Sequence, residues 1–175
     1  MPIKTIFLDR DGVINKEVNY LFKISEFEFI DGIFEALINF QKLNYQIIII
    51  TNQSGIARKY YKEKDYQILT KWMLGQFQEQ GIKILDIFHC PHDPNSSCDC
   101  RKPKPGMIEK AKDIYDIDIK NSWMIGDKEV DISAANAGGI ENTILVRSGH
   151  LIDERNSKAN FFLDSIKQAK EIINQ

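Results

Sequence analysis

The sequence predicts an α/β fold: a three-layer, doubly wound parallel sheet with helices on both faces. Three observations lead there. Short β-branched apolar runs alternate with stretches of helical periodicity, the pattern of strands joined by helical crossovers. A polar residue with chemical potential follows each apolar run at once, as expected of a sheet whose ligand binds beyond the carboxyl ends of its strands. The 175 residues, 43% of them apolar, can fill one core, so one domain over 1–175 is expected.

Taken in order, residues 3–8 (IKTIFL) read as the first buried strand, and Ile33, Leu37 and Phe40 recur at i, i+4 and i+7 as the first helix. Residues 46–50 (QIIII) form the second strand. Ile68, Leu69, Trp72, Met73 and Phe77 make one stripe of a second helix, which core packing explains. A weaker strand follows at 85–88 (LDIF), then a helix at 107–114, a strand at 123–125 (WMI), a helix at 132–137 and a strand at 143–146 (TILV). A last helix is expected over 165–173. The long irregular stretches 12–31, 55–62 and 91–106 are expected to be loops over a site.

Composition narrows the function. Lys and Arg number 23 against 25 acidic residues, a net charge of −2, which does not match the basic footprint of a nucleic-acid binder. The longest purely aliphatic run is 47–50, far short of the roughly 20 apolar residues of a spanning helix. The opening MPIKTIFLDRDG has no signal-peptide apolar region, so a cytoplasmic protein is expected. No heptad seam is visible, and a monomer is expected. All three cysteines fall within 90–100, which suits a local metal site rather than a disulfide framework.

The residues that follow the strands are Asp9, Thr51, His89 or Cys90, Asp127 and Arg147. Asp9 and Asp11 stand two apart at the end of the first strand, too near to ionise together without a cation or a shared proton. With Mg²⁺ present, one can attack phosphorus while the other handles protons. A hard cation needs a further acid, and Asp127 and Asp131 in GDKEVD are the candidates. Thr51-Asn52-Gln53-Ser54-Gly55 can hold phosphoryl oxygens through a hydroxyl and backbone amides. Arg101-Lys102-Pro103-Lys104-Pro105 sets three cations on a stiff backbone, suited to a dense anion. Each of these stretches alone could be a capping turn or a solvated loop, and their conjunction carries the reading. Cys90, His92, Cys98 and Cys100 follow the pattern C-x-H-x5-C-x-C, which fills a closed tetrahedral zinc site. His89 and His150 lack partners at ligand spacing and read as structural or exposed.

In this order DRDGVIN, TNQSGIAR, CDCRKPKPGM and IGDKEVD resemble the haloacid-dehalogenase-like (HAD) phosphatases, over residues 6–150. The zinc clip with RKP behind it, TNQSGIAR, FEFIDG at 27–32 and LVRSGH at 145–150 are similar to the D-glycero-D-manno-heptose 1,7-bisphosphate 7-phosphatase branch, a relative of histidinol-phosphate phosphatases. The resemblance implies a Rossmann-like, HAD-type sheet. The stretches after Asp11 and Thr51 are too short for a separate cap domain. It implies Mg²⁺-dependent removal of the 7-phosphate in nucleotide-activated heptose synthesis for the lipopolysaccharide core. Asp9 would be the nucleophile, Asp11 the general acid and base, and Thr51 and Lys102 the phosphoryl stabilisers. The carboxylates of Asp9 and Asp127 and the backbone carbonyl of Asp11 would hold Mg²⁺. Glu17, Val18, Asn19, Tyr20, Asn52, Gln53, Ser54, Arg101 and Lys128 would meet the substrate. Only five residues separate His92 from Cys98, a spacing closer to the histidinol enzymes, which keeps histidinol phosphate as the alternative substrate. A non-catalytic alternative is a phosphoacceptor signalling domain, although its acceptor aspartate would follow a central strand rather than the first.

Overall fold

A computed structural model describes residues 1–175. Six strands form one sheet in the order β3-β2-β1-β4-β5-β6: β1 Thr5–Leu8, β2 Gln46–Asn52, β3 Asp86–Cys90, β4 Trp123–Gly126, β5 Asn142–Val146 and β6 Phe161–Leu163. Every pairing is parallel. The helices are α1 Ile33–Lys42, α2 Glu63–Glu79, α3 Gly106–Ile114 and α4 Glu129–Ala137.

The alternation of side chains along each strand divides the core in two. Ile6, Leu8, Ile47 and Ile49 face α1 and α2, with Leu37, Phe40, Leu69, Met73 and Phe77 packed on them. Phe7, Ile48 and Ile50 point the other way, onto Met107 and Ile108 of α3 and Ala134 and Ala135 of α4. Buried on both faces, the central strands need near-continuous apolar sequence, which is why QIIII reads as it does.

Local sequence sets the helix ends. Asn44 ends α1 in the left-handed region at φ 63°. The Asp65 carboxylate accepts the Lys62 N–H at 2.8 Å, satisfying a donor that α2 leaves unpaired at its start.

β1 pairs with both β2 and β4, so the chain runs outward to β3 on one side, returns, and runs outward again through β5 to β6. The connections leaving β1 and β4 therefore part company, opening a crevice at the carboxyl edge between them. Asp9 and Asp127 lie there.

Apart from small shifts of element ends, such as β2 running on to Asn52 and α4 starting at Glu129, the structure departs from the sequence reading in five places. The β1 ladder begins at Thr5, and Ile3 makes only an isolated bridge to Ile117. β3 runs two residues further than its apolar stretch because Thr51 and Asn52 pair with His89 and Cys90. β6 has three residues, too few to show a period, and exists through its pairing to β5. The last segment is a 3-10 turn, Ile166–Glu171, rather than an α-helix, opened by the Ser165 hydroxyl accepting the Lys167 N–H. In α2, Ile68 stands half exposed while Tyr66 takes the buried position.

Candidate active site

The turn after β1 builds the first half of the site. The Arg10 carbonyl accepts N–H groups from Val13 and Ile14, folding the chain sharply back. Gly12 sits in this turn at φ 86°, with the Asp127 carboxylate where a side chain would be: an added Cβ would lie 2.3 Å from Asp127 Oδ2. Asp9 continues the sheet, its N–H bonded to the Ile125 carbonyl. Asp11 is held at both oxygens. Oδ1 accepts from Arg10 Nε and Nη2 at 3.2 and 3.0 Å and from Asn15 Nδ2 at 3.0 Å, and Oδ2 accepts from Gln53 Nε2 at 3.2 Å. The Arg10 guanidinium, 2% exposed, is a buried counter-charge placed under Asp11.

The second half comes from the turns after β2, β3 and β4. Thr51 is buried, and its hydroxyl accepts from Gln53 Nε2 at 2.9 Å. Asn52 bonds the Lys102 backbone in both directions, at 3.1 and 3.2 Å, pinning the basic loop to β2. The Lys102 ammonium then uses its three protons on Asp9 Oδ1 at 2.9 Å, Asp131 Oδ1 at 2.7 Å and the Ile50 carbonyl at 2.8 Å. Asp131 Oδ2 accepts the N–H groups of Asp127 and Lys128, each at 3.1 Å, capping α4.

Charge in this crevice is unbalanced. Asp9, Asp11, Asp127 and Asp131 face two buried cations, Arg10 and Lys102. Burial holds the Asp9 carboxyl well above the usual range; Lys102 pulls it back, while Asp131, Asp127 and Asp11 push it further up. Burial and the neighbouring Asp131 lift Asp127 to about 6. Burial works against the Lys102 ammonium, but Asp131 and Asp9 outweigh it and keep the charge in place. Carboxylate oxygens of Asp9, Asp127 and Asp131 lie within 4.8 Å of one another, and Asp127 Oδ1 is buried with no hydrogen-bond partner. An excess of buried anionic oxygen with an unused lone pair fits a hard divalent cation such as Mg²⁺.

A second cluster lies beside it. The Sγ atoms of Cys90, Cys98 and Cys100 and Nδ1 of His92 all lie within 4.8 Å of one another. The nearest sulfur pairs are 2.8 and 3.7 Å apart, and zinc with bonds of about 2.3 Å would hold its sulfurs about 3.8 Å apart. Burial pushes the Cys90 thiol up to about 12. At Cys98 burial also pushes upward, but the Arg101 N–H, the Ser96 hydroxyl and the neighbouring thiols together outweigh it and bring the thiol down to about 6. A soft thiolate is thus at hand for the ion, and the donor set fits zinc.

A cleft of about 310 Å³ opens over the carboxylates. Asp9, Asp11, Glu17, Val18, Asn19, Tyr20, Asn52, Gln53, Ser54, Arg101, Lys102 and Lys128 all line it, while Thr51 and Asp127 lie in the buried layer beneath. Two of the cations proposed from sequence point elsewhere. Arg147 binds Glu154 at 2.6 Å and Asp164 at 3.0 Å, bracing the chain around β6. Lys104 donates to the Cys98 carbonyl at 2.7 Å, bracing the cysteine loop.

Sequence reasoning missed Arg58, Tyr61 and His150, which also line the cleft. Arg58 and Tyr61 arrive because loops 12–31 and 55–62 close on each other: Tyr20 packs on Tyr60 at 4.5 Å, Phe22 stacks on Tyr61 at 5.4 Å, and Arg58 lies 5.8 Å from the Tyr20 ring. The arginine ending TNQSGIAR and the histidine ending LVRSGH were the signals available. His150, read as structural or exposed, instead places Nδ1 2.6 Å from Asp127 Oδ2. His89 does behave as a packing residue, stacked on Tyr66 and 2.7 Å from Glu63.

Comparison with known proteins places this geometry. A family model described as HAD-hydrolase-like matches residues 99–169. A D-glycero-alpha-D-manno-heptose-1,7-bisphosphate 7-phosphatase of Photorhabdus laumondii is 53% identical over 90% of this chain and 90% of its own. One from Campylobacter jejuni is 49% identical over 99% and 96%, and a beta-anomer enzyme of Vibrio cholerae is 44% identical over 99% and 97%. Among solved structures, a D,D-heptose 1,7-bisphosphate phosphatase from B. bronchiseptica complexed with magnesium and phosphate superposes with a TM-score of 0.86 at 28% identity, over 99% of each chain. With relatives this similar spanning nearly its whole length, the chain is a phosphomonoester hydrolase and belongs to the heptose-1,7-bisphosphate 7-phosphatase family of HAD-like phosphatases.

Proposed function

We propose that the enzyme removes the 7-phosphate of D-glycero-α-D-manno-heptose 1,7-bisphosphate, leaving the sugar 1-phosphate and inorganic phosphate. The observation that carries the α assignment is the pair of relatives in one organism: the α-anomer enzyme of Photorhabdus laumondii is 53% identical to this chain and the β-anomer enzyme 40%. Arg101, Arg58 and Lys128 around the cleft mouth supply the positive charge that a second phosphate needs, and a guanidinium can take it in a bidentate contact.

Lys102 holds the Asp9 carboxylate in place through Oδ1, and an Asp9 oxygen attacks phosphorus. Its bond to phosphorus forms as the bond from phosphorus to the sugar C7 oxygen breaks, giving an aspartyl phosphate. Asp11, aimed by Arg10, Asn15 and Gln53, delivers a proton to the departing alkoxide. It then takes a proton from the water that attacks the aspartyl phosphate, releasing phosphate and restoring Asp9. The Thr51 hydroxyl and the Lys102 ammonium stabilise the transferring oxygens.

Asp9, Asp127 and the backbone carbonyl of Asp11 would hold Mg²⁺, which supplies positive charge to the phosphoryl oxygens and lets Asp9 remain ionised. Asp131 is not among these ligands in our reading, because Lys102 and two backbone amides already occupy its oxygens. Zinc at Cys90, His92, Cys98 and Cys100 would fix the loop that leads directly into Arg101 and Lys102. The retained 1-phosphate is the handle that nucleotidyl transfer requires, which supports a role in activated-heptose synthesis in the cytoplasm. No helix is long and apolar enough to cross a membrane.

The test is kcat/KM for the α bisphosphate, the β bisphosphate and histidinol phosphate side by side, with the released phosphate assigned by ³¹P NMR. Preference for the α anomer with loss of the 7-phosphate is expected. A higher kcat/KM for the β anomer would reverse the anomer assignment, and one for histidinol phosphate would show that the short loop between His92 and Cys98 is the better guide.

A further inference from the structure

We propose that His150 is a positioning residue for the metal: it turns the Asp127 carboxylate so that Oδ1 alone is presented to the cation. The inference rests on reading Asp127 as a magnesium ligand. Two donors from one residue, the His150 backbone N–H at 3.0 Å and ring Nδ1 at 2.6 Å, converge on a single oxygen, Asp127 Oδ2. The other oxygen is buried and receives nothing from the protein. A carboxylate engaged so unequally is already sorted into a structural oxygen and a ligand oxygen. That arrangement suits Mg²⁺, whose strict octahedral geometry favours single-oxygen ligands.

The rest of the turn keeps the carboxylate from swinging. Ser148 Oγ donates to the Gly12 carbonyl at 2.7 Å, latching residues 148–150 to the turn after β1. Gly149 and Gly12 lie side by side against Asp127: a Cβ on Gly149 would stand 2.1 Å from Oδ2 and one on Gly12 2.3 Å, so only glycine lets these backbones approach. With Nδ1 donating to Asp127, Nε2 is left facing the cleft, 3.9 Å from Glu17 Oε1. One imidazole thus touches the buried acid and faces the loop expected to meet the sugar. Partners that orient metal ligands in this way commonly carry 10- to 100-fold of the affinity.

The experiment measures Mn²⁺ binding by EPR, with Mg²⁺ competition, on zinc-loaded protein without substrate. The variants are His150→Ala, His150→Asn, His150→Gln and Asp127→Asn. His150→Ala is expected to weaken binding by about 10- to 100-fold, with kcat recovering as Mg²⁺ is raised to saturation. His150→Asn, whose amide nitrogen falls near the Nδ1 position, is expected to restore most of the affinity, and His150→Gln, which reaches toward Nε2, is not. Wild-type affinity in His150→Ala together with loss in Asp127→Asn overturns the proposal while leaving the metal site intact. Wild-type affinity in Asp127→Asn overturns the ligand reading itself. If Ala and Asn lose affinity equally while both melt like the wild type, the ring hydrogen bond is not the cause and the proposal fails.

Discussion

Burying Lys102 strips an ammonium of water, and the structure offsets that cost by giving each of its three protons an acceptor. Lys102→Met keeps the length of the side chain and removes the charge, leaving Asp9 and Asp131 facing each other. Turnover should fall by at least about 100-fold, and the metal-free protein should lose on the order of 3 kcal/mol, read from phosphate release and urea unfolding. Near-wild-type turnover would remove Lys102 from the mechanism. Asp127 makes a prediction about pH. Its folded pKa of about 6 lies above the roughly 3.9 of an unfolded aspartate. Between those values the folded state binds the proton more tightly, so the metal-free protein loses stability as pH rises from about 4 to about 6. Mg²⁺ competes with the same proton, so the rise in melting temperature that it produces should grow over the same window. An equal rise at about pH 5 and about pH 7.5 would contradict the assignment.

At the scale of elements, the turns carry the chemistry and the strands only deliver it. The turn after β1 needs a left-handed residue pressed against Asp127, so Gly12→Ala should lower stability by about 1–3 kcal/mol and turnover together, because the new methyl displaces the carboxylate that we propose holds Mg²⁺. Intact turnover in Gly12→Ala would show that the carboxylate can move without cost. The cysteine loop makes a parallel case. It holds little apolar side chain of its own, yet it sets Arg101 and Lys102 directly after Cys100. If Cys90, His92, Cys98 and Cys100 hold zinc as we propose, removing it with a chelator should lower the melting temperature and turnover in step, and restoring zinc should recover both. A melting temperature that falls while kcat/KM stays constant would separate the cysteine loop from the role proposed for Lys102.

Across the whole molecule, the crevice exists because β1 is central and its neighbours lead away in opposite directions. The frame behind it is ordinary apolar packing. Phe40→Ala should cost about 3–5 kcal/mol of stability and leave kcat/KM close to wild type, since Phe40 is fully buried in the layer that holds α1 and α2 against the sheet. A large fall in kcat/KM with folding intact would mean that the core tunes the site.

The alternating pattern of IKTIFL, QIIII, WMI and TILV with helical stripes was enough to specify a parallel sheet, because burial on both faces leaves a mark in every residue of a central strand. The same run-ends pointed to Asp9, Thr51 and Asp127, since in an open parallel sheet the residues leaving the strands at the carboxyl edge gather around the crevice. The convergence of Cys90, His92, Cys98 and Cys100 was legible because four donors within eleven residues are nearly a local property. What sequence could not settle was which distant side chains share a point in space. β6 and the closing 3-10 turn are fixed by pairing to β5 and packing on α1, not by their own short patterns. Arg147 follows a strand as Asp9 does, yet nearby carboxylates draw it away, while His150 meets Asp127 from 23 positions along the chain. The chemistry of each residue and the period of each element are written locally. The direction in which a long side chain turns, and the partner it finds there, depend on how elements far apart in sequence are packed together.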